Sequence, residues 1–162
     1  MMDLRQQIGR CGNGRVCLVG LGNSGAGDDG FGVRLAGELA RAGLPGVIIA
    51  GTAPENSVGR AAGGDFDDVV FLDAVDFGGT PGSAVWLDAK AMAERFPQVS
   101  THRIALGLLA RWVESSGRTR AWLLGVQPQS LLPAERLSPA VAATLEILRD
   151  WLLEACAARA PA

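Results

Sequence analysis

Val16-Cys17-Leu18-Val19 leads directly into Gly20-Leu21-Gly22-Asn23-Ser24-Gly25-Ala26-Gly27-Asp28-Asp29-Gly30, and that stretch leads into Phe31-Gly32-Val33-Arg34-Leu35-Ala36. The apolar run reads as a buried strand and the last segment as the start of a helix. Strand, glycine loop and helix form the unit in which α/β proteins place their chemistry. The first half of the loop spells G-x-G-x-x-G, the dinucleotide fingerprint. The second half spells Asp-Asp, which opposes it.

The same alternation continues along the chain. Val16 to Leu21 is the first strand, and Phe31 to Arg41 is a helix with Val33, Leu35, Ala36, Leu39 and Ala40 on one face, ended by Gly43 and Pro45. Val47 to Ala50 is a second strand. Thr52 to Gly64, rich in Gly, Pro, Asn and Ser, reads as a loop with room for one helical turn. Val69 to Leu72 is a third strand that stops at Asp73, Ala84 to Leu87 a fourth, and Ala89 to Phe96 a short helix. Ser100 or Thr101 caps a further helix with apolar Ile104, Leu106, Leu108, Leu109, Trp112 and Val113. Ala121 to Leu124 is a fifth strand, and Ser138-Pro139 opens a last helix with Pro at its first position. Near-continuous apolar strands between helices imply a sheet covered on both faces.

A chain of 162 residues suits one domain with a real core. Residues 1–13 read as a loose leader, 14–156 as the domain and 157–162 as a frayed tail. The net charge of −2 is spread along the sequence and leaves no footprint for nucleic acid. No apolar run approaches the ~18 residues of a membrane span, and the polar N-terminus lacks a signal-peptide core. Cys11, Cys17 and Cys156 have no metal-type spacing, and this low cysteine usage points to the cytoplasm.

Dinucleotide binding requires a helix N-terminus free to receive phosphate. Asp28 and Asp29 would oppose a pyrophosphate there by several kcal/mol unless a cation intervened. The ribose-binding acid expected after the second strand is also missing, since Ala50 and Gly51 stand there. A tight turn with Asp caps accounts for one carboxylate but not for both.

The third strand ends Leu72-Asp73-Ala74-Val75-Asp76, which puts acids on the rim where α/β folds bind ligands. His102 is the only histidine. Taken singly, these residues read as turn caps and a structural histidine. Together, Asp29, Asp73 and His102 each follow a strand or open a helix, and two carboxylates and an imidazole on one rim suit a divalent metal. Glu55, after the second strand, and Gln127, after the fifth, add an acid and an amide to the same rim. There is no Gly-x-Ser-x-Gly elbow and no C-x-x-C. A Ser-His-Asp hydrolase would have only Ser24 or Ser100 as nucleophile.

These residues resemble a known family. Val19-Gly20-Leu21-Gly22-Asn23 followed by Gly27-Asp28-Asp29-Gly30-Phe31-Gly32-Val33 is similar to the opening signature of the [NiFe]-hydrogenase maturation peptidases. Gly51-Thr52-Ala53-Pro54-Glu55-Asn56, Leu72-Asp73-Ala74-Val75-Asp76, Ser100-Thr101-His102 and Leu124-Gly125-Val126-Gln127-Pro128 follow in the family's order. The Ala-Pro-Glu-Asn and Gly-Val-Gln-Pro pieces look most like the formate-hydrogenlyase-type branch. The resemblance implies a three-layer α/β/α sandwich around a twisted, five-stranded, mostly parallel sheet whose fourth strand is antiparallel. It implies an aspartyl-endopeptidase-like enzyme that removes the C-terminal extension of the hydrogenase large-subunit precursor after nickel insertion. Asp29, Asp73 and His102 carry over as the metal-contacting residues, with Asp28 as a cap or supporting group and Asp76, Glu55 and Gln127 as secondary candidates. The chain departs from the pattern at Ala50, where many members carry an Asp that Glu55 replaces only in part.

The implied metal is nickel presented by the substrate, replaceable in vitro by another divalent cation, with no organic cofactor. The implied partner is the precursor alone, met by a monomer. Two mechanisms fit the ligands: nickel as a checkpoint that positions the scissile peptide, or a metal-bound water that attacks it. Three protein ligands without an evident general base favour the checkpoint, with substrate cysteine sulfur completing the shell. The rivals are a non-catalytic metal- or partner-binding module of the same fold and a small-molecule hydrolase with a closed pocket.

Overall fold

The computed structural model describes residues 2–96 and 105–157. In chain order the elements are α1 (Leu4–Cys11), β1 (Val16–Leu21), a 3₁₀ turn (Gly27–Gly30), α2 (Phe31–Arg41), β2 (Val47–Gly51), α3 (Glu55–Gly63), β3 (Asp68–Ala74), β4 (Ala84–Asp88), α4 (Ala89–Arg95), α5 (Leu106–Glu114), β5 (Arg120–Val126) and α6 (Pro139–Ala157). The sheet order is β2-β1-β3-β5-β4. All pairings are parallel except β4 with β5, as the family resemblance implied. A short turn after β3 cannot carry a crossover, so the chain returns beside β5 in the opposite sense.

Strand side chains alternate between two cores. Leu18, Val70, Leu72, Leu124 and Val126 pack with Ile8 of α1, Phe31, Leu35 and Leu39 of α2, and Val141 and Leu148 of α6. Cys17, Val19, Leu21, Val69, Phe71 and Leu123 pack with Val58 of α3, Met92 of α4 and Leu109 and Val113 of α5. Two helical layers thus cover the sheet, which is the expected three-layer sandwich.

Some expectations are corrected. The leader is not loose over Leu4–Cys11: Asp3 accepts from the Gln6 N–H at 2.8 Å while Gln6 Oε1 accepts from the Asp3 N–H at 3.0 Å. That reciprocal cap starts α1, and buried Ile8 and Cys11 hold it against α6. The stretch expected as a loop with one turn contains the nine-residue α3. Its Gly-, Asn- and Ser-rich sequence has low helix propensity, but buried Ser57, Val58 and Ala61 share a face that packs on α5. β3 runs past Leu72, so Asp73 lies within the strand. α5 begins at Leu106 after Ala105; the expected caps Ser100 and Thr101, His102 and the tail beyond Ala157 lie outside the described residues.

Candidate active site

The chain turns to opposite sides from β1: it goes to β2 on one flank and, after α2, β2 and α3, to β3 on the other. The carboxyl ends of β1 and β3 therefore flank the crevice where open α/β sheets bind ligands. The glycine loop leaves β1 there. Gly22 has φ of +116°, and a Cβ on it would lie 1.9 Å from the Asp29 carbonyl oxygen. Only glycine lets the loop fold back so that Asp29 returns to the strand end. A Cβ on Gly32 would lie 2.0 Å from the Leu72 carbonyl oxygen and 2.4 Å from that of Leu21. The first turn of α2 is thereby seated on the ends of β1 and β3 at once.

The two acids of the loop part company in this frame. Asp28 is 1 % exposed. Its carboxylate accepts from the N–H groups of Ser138 at 2.7 Å, Gln129 at 2.8 Å and Ser130 at 3.3 Å, and from the Ser138 hydroxyl at 2.8 Å. Burial pushes its pKa up, but these bonds outweigh burial and hold the carboxyl below its ordinary value. Asp28 thus ties the loop after β5 and the start of α6 to the glycine loop.

Asp29 is 5 % exposed. Its Oδ2 accepts from the Asn23 N–H at 3.0 Å, while Oδ1 is buried with no hydrogen-bond partner among the described residues. Buried carboxylate oxygens are rarely left so. Asp73, fully buried, follows Leu72, over whose carbonyl the first turn of α2 sits. It shares the strand face of Val69 and Phe71, the side covered by α3, α4 and α5. Asp29 and Asp73 thus approach the rim from the loop and from the strand. Among the described residues no three His, Cys, Asp or Glu side chains form a metal cage.

The secondary candidates divide. Gln127 Oε1 accepts from the Phe77 and Gly79 N–H groups at 2.9 and 3.1 Å, and its Nε2 donates to Asp76 Oδ1 at 3.1 Å. The Gln127 bond, joined by one from the Gly78 N–H, lowers the Asp76 pKa. Both side chains are engaged in fixing the turn after β3. Glu55 opens α3 beyond the end of β2, and its Oε2 is buried without a hydrogen-bond partner among the described residues. Burial pushes the Cys17 thiol up to about 12 despite nearby Arg60, and Cys11 higher still, so neither supplies a thiolate nucleophile. Sequence reading missed Arg34. Its guanidinium donates to the Ser24 and Glu135 carbonyl oxygens and so joins the two loops of the rim. An arginine on a predicted helix face gives no hint of such a bond.

A model of the family described as HycI, hydrogenase maturation protease, matches residues 33–155. The chain belongs to the hydrogenase maturation protease family. The hydrogenase 3 maturation protease of Escherichia coli K12 is 36 % identical over 114 residues, covering 68 % of this chain and 71 % of that protein. The crystal structure of a [NiFe] hydrogenase maturation protease HycI from Thermococcus kodakarensis superposes with a TM-score of 0.77 at 32 % identity, covering 90 % and 94 % of the two chains. The hydrogenase maturating endopeptidase HybD of E. coli superposes at 0.72 with 27 % identity, covering 89 % and 93 %. This maturation protease is accordingly a peptide-bond hydrolase, and the HycI match agrees with the branch expected from its motifs. Among the described residues no helix is long and apolar enough to cross a membrane.

Proposed function

We propose that this maturation protease removes a C-terminal extension from the large-subunit precursor of a [NiFe]-hydrogenase once nickel has been inserted. Asp29, Asp73 and His102 read the metal. The supporting observation is the buried Asp29 Oδ1, which lacks a hydrogen-bond partner among the described residues while Oδ2 is fixed by the Asn23 N–H. One oxygen orients the carboxylate and the other is left for a ligand that arrives with the substrate. A divalent cation fits that need, because a desolvated carboxylate oxygen is costly unless a cation or donor meets it.

Asp73 adds a second carboxylate on the adjoining strand end. His102 stands just before α5 in the sequence, and α5 packs on the strand face to which Asp73 belongs. Two carboxylates and an imidazole are borderline-to-hard donors that leave positions for the thiolates that already hold nickel in the precursor. Nickel is then part of the substrate, with no resident metal or organic cofactor, and it positions the scissile peptide only in a correctly loaded precursor. The enzyme acts in the cytoplasm and as a monomer.

The test is incubation with nickel-loaded and nickel-free precursor, read by mass spectrometry of the large subunit. A discrete C-terminal peptide should be lost from the loaded form alone. Equal cleavage rates for the two forms would refute nickel recognition, and no cleavage of either would refute the assignment of substrate.

A further inference from the structure

On the α2–α6 side of the molecule lies an open groove of about 600 Å³ that the cleavage chemistry does not use. Its head is Ser24, in the same loop whose Asn23 N–H orients Asp29. It runs between α2 and α6 past Ile49 on the outer strand β2, a residue left 55 % exposed. Buried Gly37 lies along its α2 wall and keeps that wall low beside Arg41.

The charges on its walls are unequal. Arg34, Arg41 and Arg136 line it against Glu38 and Glu146. Glu38 is already met by Arg149 at 3.1 Å. Among the described residues Arg41 and Arg136 have no carboxylate partner, and both are exposed. Arg34 is held in place by the Ser24 and Glu135 carbonyls, so the head of the groove is stiff and positive. Unpaired guanidinium groups beside exposed aliphatic surface match a segment that alternates carboxylates with apolar side chains.

We propose that this groove is an exosite that docks an acidic, partly apolar segment of the large-subunit precursor outside the scissile tail. The inference rests on the reading of the substrate given above. The groove adjoins the loop that carries Asp29, so a segment seated there anchors the precursor while its tail lies across the rim. Arg41 and Arg136 supply attraction and orientation, and the exposed Ile49 supplies apolar contact.

Reversing the two free arginines, R41E with R136E, tests this with the nickel-loaded precursor as substrate. Processing efficiency, kcat/KM, should fall at least about tenfold at low salt, through KM, and the fall should shrink as salt is raised. The R10E variant, which changes charge on exposed α1, should keep wild-type efficiency and salt dependence. The milder R41Q/R136Q pair, expected to show a smaller loss in the same direction, carries the test if the reversal lowers the melting midpoint. Equal efficiency and salt dependence in the arginine variants and in R10E would overturn the exosite. Failure of the wild-type enzyme to cleave the loaded precursor would instead refute the substrate reading.

Discussion

Replacing Asp28 by Asn would set an amide NH₂ against donors, because the Ser138, Gln129 and Ser130 N–H groups and the Ser138 hydroxyl all point at its carboxylate. The same change at Asp29 keeps an oxygen for the single Asn23 N–H. Asp28→Asn should therefore cost on the order of 3 kcal/mol of stability, and Asp29→Asn should leave the unfolding midpoint near wild type while abolishing processing. Denaturant unfolding and precursor cleavage, measured on both variants, would separate the two roles. Acid has a related effect. The folded Asp28 pKa lies below its unfolded value, so its stabilisation is present above about pH 4 and is lost as pH falls through the folded value. Below about pH 4 the stability of Asp28→Asn should change less with pH than that of the wild type. The Asp-Asp pair is legible in the sequence, and so is the strand end at which it stands. The partners of Asp28 are not, because they lie more than 100 residues away.

At the scale of elements, the seat of α2 decides whether the rim exists. Its first turn lies against the carbonyls of Leu21 and Leu72 through Gly32, where a methyl group would sit inside van der Waals contact of two backbone oxygens. Neither oxygen belongs to a flexible side chain that could move aside. Gly32→Ala should cost about 3 kcal/mol or more and should impair processing even in molecules that remain folded, because the turn carrying Asp29 shifts with the helix. Circular dichroism melts and cleavage by the folded fraction would check both outcomes. The limits of α2 are legible from its apolar spacing and the glycine and proline that end it. α3 is hidden, because Pro54, Asn56, Ser57 and Gly59 carry the local signature of a loop. What makes the segment helical is the packing of Val58 and Ala61 into the second core and against α5, a contact between distant parts of the chain.

For the molecule as a whole, the strand order sets the candidate rim and α1 at opposite ends of the sheet. β1, β3 and β5 deliver the rim residues at their carboxyl ends, whereas α1 precedes β1 and packs on α6. The alternation of apolar strands and helical patterns was enough to read the covered sheet. The docking of α1 was not, because its polar surface hides two inward residues, Ile8 and Cys11, and only the Asp3–Gln6 spacing betrays its start. Ile8 is 1 % exposed, so Ile8→Ala empties a site in the first core and should cost about 2–5 kcal/mol. Undocking of this short helix would limit the loss, because the remaining core still packs around Phe31, Leu35 and Leu148. The thermal midpoint should therefore drop by several degrees while cleavage of nickel-loaded precursor well below that midpoint proceeds at the wild-type rate. Loss of cleavage at low temperature would instead mean that α1 helps to set the rim through the sheet, since among the described residues no hydrogen bond joins α1 to the glycine loop.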